Sequence, residues 1–243
     1  MALIRLNHFS KCKGCQTNVT VLLPTDGMPE RRSGSTMEVP GMKYQVLWLL
    51  HGGGDDSDFL NFSNIVRYAD EHKIAVVMPA GSSFYDVDYE YITEELPKTL
   101  RVLFPFSDRR EDNFIGGLSH GGDAAMKAGF EHPDRYAAAL IMSAAGTDHK
   151  GEVGKAALRF DIYGLAEKNL ESGVSMPKLI FVTGSGDRGF PYYTPIIDNL
   201  EAIGIPVTRY YVDEDGHSWD FWDNILRLAL RELLPIRHSV ILP

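Results

Sequence analysis

Cysteine is almost missing from this chain, with Cys12 and Cys15 the two examples in 243 residues. That excludes a framework of several disulfides. A zinc site is short of ligands as well. Tetrahedral zinc asks for four, no second Cys-x-x-Cys or paired histidine motif follows, and His8 adds a third at most. A thioredoxin-like role needs the pair at a helix start, whereas it falls in a polar link between two strand-like segments. Two reduced thiols in a turn are expected. Basic clusters are also absent. The net charge is −9, and nothing is denser than Asp108-Arg109-Arg110. Such a surface repels phosphates, so a nucleic-acid partner is not expected, and anionic membranes or strongly anionic substrates are disfavoured. No apolar run approaches membrane-spanning length. Residues Met1–His8 lack the uninterrupted apolar core of a signal peptide, so the expected compartment is the cytoplasm.

What remains is an ordinary globular composition, 44% apolar and 23% charged. Two strand-like segments, Ile4–Phe9 and Asn18–Leu23, open the chain, and residues 25–42 read as a surface loop rich in Gly, Pro, Ser and charge. Strands and helices then alternate. Apolar runs stand at Gln45–Leu50, Ala75–Met78, Phe114–Leu118, Ala137–Ser143, Leu179–Thr183 and Val207–Val212. Helical periodicity covers Phe59–His72, Ile92–Phe104 with a break near Pro97, Gly122–Glu131, Pro195–Ile203 and Trp219–Leu234. Short apolar runs separated by helices predict an α/β fold, a mostly parallel sheet covered on both faces. One domain over residues 1–243 is expected, because α/β folds of this length are commonly undivided. Residues 146–176 break the alternation and are read as a small cap over a pocket. They carry Asp148, Lys150, Glu152, Lys155, Arg159, Asp161, Glu167, Lys168 and Glu171, too much charge for the broad apolar face of a lipase lid.

Gly117-Leu118-Ser119-His120-Gly121 lies between an apolar run and a helical stretch. This is G-x-S-x-G in a strand–turn–helix context, the arrangement that lifts a serine clear of a sheet. A bend this sharp leaves no room for Cβ atoms beside the serine, hence the glycines. Ser119 is therefore the expected nucleophile, and it needs a base. In this arrangement the acid and then the histidine follow the serine along the chain. His132 is far from the start of the elbow helix, His149 lies in the cap segment and His238 in the tail. His217 stands just after the last strand and before the last helix, where a loop can carry it into a cleft. Between Ser119 and His217, Asp187 closes the turn Gly184-Ser185-Gly186-Asp187 after a strand, and Asp161 is the runner-up. Two N–H groups should meet the oxyanion. His120 is placed to offer one at the helix N-terminus. The loop His51-Gly52-Gly53-Gly54 is placed to offer the other, with Gly53 the first choice, Gly52 or Gly54 alternatives, and His51 a brace.

Taken together, these residues resemble the esterase family that includes esterase D, bacterial tributyrin esterases and cinnamoyl or feruloyl esterases. The match runs through Leu50-His51-Gly52, Val77-Met78-Pro79, Phe84-Tyr85 to Glu95-Leu96-Pro97 and Gly117 to Gly122. It continues through His132-Pro133-Asp134-Arg135-Tyr136 and Gly184 to Asp187, and ends at Gly216-His217-Ser218-Trp219. The resemblance implies an α/β-hydrolase fold and places the family's serine, acid and histidine on Ser119, Asp187 and His217. His120 departs from it, since relatives often carry Met or Tyr there, and Cys12 and Cys15 have no role in it. The expectation is a serine carboxylesterase for short or compact acyl groups, acting through an acyl-enzyme. Phe84, Tyr85, Phe190 and Trp219 would wall the pocket. No metal or organic cofactor is implied, and the expected partner is a small-molecule ester. A homo-oligomer is compatible with the sequence. Three rivals share the motif: an S-formylglutathione-type thioester hydrolase, a small relative of prolyl oligopeptidases, and a catalytically silent binding protein. The peptidase is disfavoured because 243 residues leave no room for a propeller. The silent reading is disfavoured because no triad member is missing.

Overall fold

The chain opens as an antiparallel hairpin, β1 (Ala2–Ser10) and β2 (Cys15–Leu23), closed by a four-residue turn in which Gly14 takes φ +66°. The computed structural model describes residues 1–25, 41–82, 84, 86–144, 160–213 and 216–237. Within them the hairpin leads into β3 (Val46–Leu50), β4 (Ala75–Pro79), β5 (Asn113–Leu118), β6 (Ala138–Met142), β7 (Lys178–Gly184) and β8 (Val207–Val212). The order across the sheet is β1-β2-β4-β3-β5-β6-β7-β8. β2 meets β4 antiparallel, and every pairing from β4 through β8 is parallel. Every residue of β3, β4, β5 and β6 is buried. Such continuous apolar runs need cover on both faces.

The pleat divides that cover. Val46, Trp48 and Leu50 point to one side of β3 and Leu47 and Leu49 to the other, in two separate apolar clusters. Two helices, α1 (Ile65–His72) and the later α7, close the second cluster. The first is closed by a continuous helical run and three further helices. The run is α2 (Val87–Glu90), a π-helical turn (Tyr91–Glu95) and α3 (Leu96–Leu103). The further helices are α4 (His120–Glu131), α5 (Ile162–Ser172) and α6 (Phe190–Ala202). α7 spans Trp219–Leu228 and runs on through a π-helical turn at Ala229–Leu233. Asp223 fastens it to the start of α1, accepting from Ser63 Oγ (2.7 Å), Asn64 N–H (2.6 Å) and Tyr68 OH (2.8 Å).

Several elements depart from the sequence reading. The expected helix at 59–72 is two pieces, a 3₁₀ turn (Phe59–Phe62) and α1. Pro97 does not break its helix. Its missing N–H leaves the carbonyl of Thr93 without an intrahelical donor, and Arg135 Nη1 donates there instead at 2.8 Å. α6 begins at Phe190 rather than Pro195, since burying Tyr193, Ile196, Ile197 and Leu200 outweighs the one bond that Pro195 removes. Residues 146–159 of the proposed cap lie outside the described residues. The part that follows is α5, with Ile162 and Ala166 in the core and Asn169 Nδ2 donating to the Phe130 carbonyl of α4 at 2.8 Å. Among the described residues no helix is long and apolar enough to cross a membrane.

Cys12 and Cys15 are free thiols at the hairpin turn. Glu95 grips that turn, accepting from Lys11 N–H (2.8 Å), Cys12 N–H (2.8 Å) and Ser10 Oγ (3.0 Å). Burial alone would raise the Glu95 carboxyl, but these donors overrule it and hold it down at about 2. The Cys12 thiol is pushed up to about 11 by burial and then by Glu95, which leaves it a poor nucleophile. A carboxyl held low when folded stabilises above its unfolded value and loses that contribution as pH falls toward the folded one. Glu95→Gln is therefore expected to lower the melting temperature at pH 7 by about 2–4 °C. The gap should narrow between pH 4.5 and pH 2, and thermal melts across that range would show it; a gap that widens on acidification would refute the clamp.

Candidate active site

Ser119 sits between β5 and α4 with φ +52° and ψ −119°, a conformation that L-residues rarely hold. The surrounding backbone enforces it. Ser119 N–H donates to the Met142 carbonyl at 2.9 Å, and the Ser119 carbonyl accepts from Asp123 N–H at 3.1 Å. A Cβ on Gly117 would stand 2.2 Å from the Gly121 oxygen, and one on Gly121 would stand 2.4 Å from the Leu50 oxygen. Both glycines are steric requirements, because β3 and the first turn of α4 meet at the elbow.

His217 and Asp187 come from the loops after β8 and β7. His217 Nδ1 lies 3.0 Å from Asp187 Oδ2, and the other carboxylate oxygen accepts from Gly189 N–H at 2.8 Å. The Asp187 side chain is 3% exposed and the imidazole 27%. The acid is thus sealed in while the ring keeps a face toward solvent. Gly216 makes this possible, since a Cβ there would lie 2.2 Å from Gly184 N and 3.0 Å from Asp187 Cβ. Asp161, the runner-up, caps α5 by accepting from Gly164 N–H at 3.1 Å.

The loop after β3 lies against the elbow. A Cβ on Gly52 would stand 3.6 Å from Ser119 Cβ, and one on Gly53 would stand 2.6 Å from His120 Nδ1. His51 is fully buried, and burial lowers its pKa and keeps it neutral. Its Nδ1–H donates to the Gly52 carbonyl at 2.7 Å, while Nε2 has no partner among the described residues. In a planar trans peptide the N–H points opposite to the C=O. With the Gly52 carbonyl turned to His51, the Gly53 N–H faces away from that ring. The His120 amide opens α4, where N–H groups have no acceptor within their own helix.

The expected pocket walls fare unevenly. Phe84 is wholly buried and packs on His51 at 4.6 Å, so it belongs to the core beneath the loop rather than to an open wall. Tyr85 lies outside the described residues. Phe190, half-buried at the start of α6, packs edge-on against Tyr211 at 5.3 Å. Trp219 is half-buried between Phe59 (5.8 Å), Phe62 (5.4 Å) and Trp222 (5.4 Å), and Trp222 stands edge-on to His217 at 5.1 Å. Sequence reasoning missed Phe62, which is 58% exposed on that aromatic shelf. Its only signal was a place in a helical period. A cavity of about 350 Å³ beside α3, lined by Trp48, Arg101, Arg135 and Tyr136 among others, includes none of these residues.

A family model described as Putative esterase matches residues 10–158. The chain is 28% identical to an acetyl esterase of Caldicellulosiruptor saccharolyticus over 261 aligned positions, covering 94% of this chain and 97% of that protein. Among solved structures it resembles FphF, a fluorophosphonate-binding serine hydrolase of Staphylococcus aureus. The TM-score is 0.83 at 29% identity, over 96% of this chain and 98% of that one. The S-formylglutathione hydrolase FrmB of the same organism is similar at a TM-score of 0.80 and 28% identity, with the same coverage.

If Asp187 orients the imidazole, Asp187→Asn should lower kcat by on the order of 10⁴, because the ring loses its tautomer and the support of its cation. Asp161→Asn should leave kcat nearly unchanged, since asparagine caps helices as well as aspartate does. Steady-state kinetics on both variants decide between the two acids, and a reversed pattern would move the role to Asp161.

Proposed function

The chain belongs to the Putative esterase family and is a carboxylic ester hydrolase of the α/β-hydrolase fold, and we propose that it acts through an acyl-enzyme on Ser119. The observation that supports this most is the Asp187–His217 hydrogen bond, set on loops that flank a serine held at φ +52°. In this reading the Ser119 hydroxyl attacks the ester carbonyl and passes its proton to His217 Nε2, while Asp187 holds Nδ1–H and steadies the cation. The N–H groups of His120 and Gly53 receive the oxyanion, at a helix N-terminus that favours negative charge. His217 then gives the proton to the departing alcohol. Water, deprotonated by the same imidazole, cleaves the acyl-serine and restores the hydroxyl.

Short or compact acyl groups are the proposed substrates. The similarity to an acetyl esterase supports this, as does the charge of residues 146–176. A thioester is the second reading, favoured by the likeness to FrmB. The partner in either case is a small molecule. Residence in the cytoplasm belongs to the same proposal, supported by two free cysteines, one of them exposed.

Ser119→Ala should abolish turnover of p-nitrophenyl acetate with the melting temperature retained; more than about a tenth of the activity remaining would sink the assignment, since triad knockouts cost far more. Across p-nitrophenyl acetate, butyrate, octanoate and palmitate, kcat/KM should be highest at the short end. A maximum at palmitate, or a jump above the solubility limit, would mean a lipase groove instead. An S-formyl thioester run beside the acetate separates the two readings.

A further inference from the structure

Ser143 follows β6 directly. It is 2% exposed and holds φ +46°, a strained value for a serine. Its N–H donates to the Val182 carbonyl at 2.8 Å. Its hydroxyl donates to the carbonyl of Gly216 and accepts from the indole N–H of Trp222 at 3.1 Å. Gly216 is the residue before His217, and Trp222 is the ring packed edge-on to the His217 imidazole at 5.1 Å. The preceding residue, Met142, gives its carbonyl to Ser119 N–H. One buried serine thus touches both supports of the histidine and sits next to the residue that anchors the nucleophile.

We infer that Ser143 is a positioning residue for His217. Its single proton is committed to Gly216 and one of its two lone pairs to Trp222, and at 2% exposure the hydroxyl is sealed away from a substrate. What it fixes is the distance between two loops that no sequence neighbour connects. A base displaced by about 1 Å costs up to 100-fold in rate, so a hydroxyl that pins both the backbone and the ring wall of His217 acts on kcat. The inference rests on the reading of Ser119 and His217 as nucleophile and base.

The test uses Ser143→Gly, Trp222→Phe and Ser119→Ala in the full chain. Glycine accepts φ +46° without strain and removes only the hydroxymethyl group. Phenylalanine keeps a ring against His217 but has no N–H. For each variant, kcat and KM on p-nitrophenyl acetate, the rate of Ser119 labelling by a fluorophosphonate, and the melting temperature are measured. Ser143→Gly is expected to lower kcat and the labelling rate together by about 10- to 100-fold with KM within about twofold, and Trp222→Phe to do the same to a smaller extent. A loss carried by KM alone, or kcat within about twofold of wild type in both variants, overturns the inference. If Ser143→Gly is poorly folded, Trp222→Phe is decisive alone, and an unchanged kcat there overturns it equally. Retained activity in Ser119→Ala overturns the acyl-enzyme reading and this inference with it. Silence in Ser119→Ala beside full activity in the other two overturns this inference alone.

Discussion

The site depends on how closely four backbone segments approach one another at the carboxyl edge of the sheet. β3, β5, β6 and β7 end within contact of the same small region, and a Cβ at Gly117, Gly121, Gly122 or Gly216 would lie 2.2–2.9 Å from a backbone atom. Parallel strands deliver their carboxyl ends to one side by construction. Only missing side chains let those ends close further. Ser119 is forced to positive φ by this crowding, and the Met142 carbonyl holds it there. The strain at Ser119 and Ser143 persists because the strands behind them are buried along their whole length and cannot give way.

Burial also sets His51 and His217 apart. His51 is sealed among Phe59 and Phe84 and stays neutral, so it can orient a peptide but has no route to exchange protons with solvent. His217 keeps 27% of its side chain exposed and has a carboxylate on Nδ1. In the proposed mechanism that carboxylate steadies its cation, and the exposed part of the ring is open to a reacting group. The His51 Nδ1–H instead orients the Gly52 peptide, which turns the Gly53 N–H away from the ring.

Much of this was legible in the sequence, and what was not has physical reasons. Apolar runs at 45–50, 114–118 and 179–183 read as buried strands because both faces of each had to be covered. The elbow glycines were readable because sterics leaves no other residue for them. Asp187 and His217 followed from position after a strand. Ser143 was invisible, since a serine closing an apolar run looks like any strand end and its φ depends on contacts 73 and 79 residues away. Phe84 misled for a related reason. Proximity in sequence to a site-bearing loop does not say which way a ring turns, and here φ +56° and the Gly81 backbone turn it inward. Pro97 was read as a break because its remedy, Arg135, lies 38 positions further along the chain.

Some positions can vary without harming the proposed chemistry. In the proposed mechanism only the amide at position 120 has to face the oxyanion, so the side chain there is free to differ from the Met or Tyr common in the resembling family. The structure shows what the change does. The imidazole lies against Gly53, where even a methyl group would collide at 2.6 Å. A ring at 120 therefore requires a glycine at 53, and a side chain added at 53 would crowd His120 beside both proposed oxyanion donors. Phe62 and Trp219 stack at 5.4 Å as a separate aromatic shelf. Its rings are held by α7 and the 3₁₀ turn rather than by the elbow. If that shelf walls the proposed pocket, the pocket can change shape while the proposed geometry of proton transfer stays fixed.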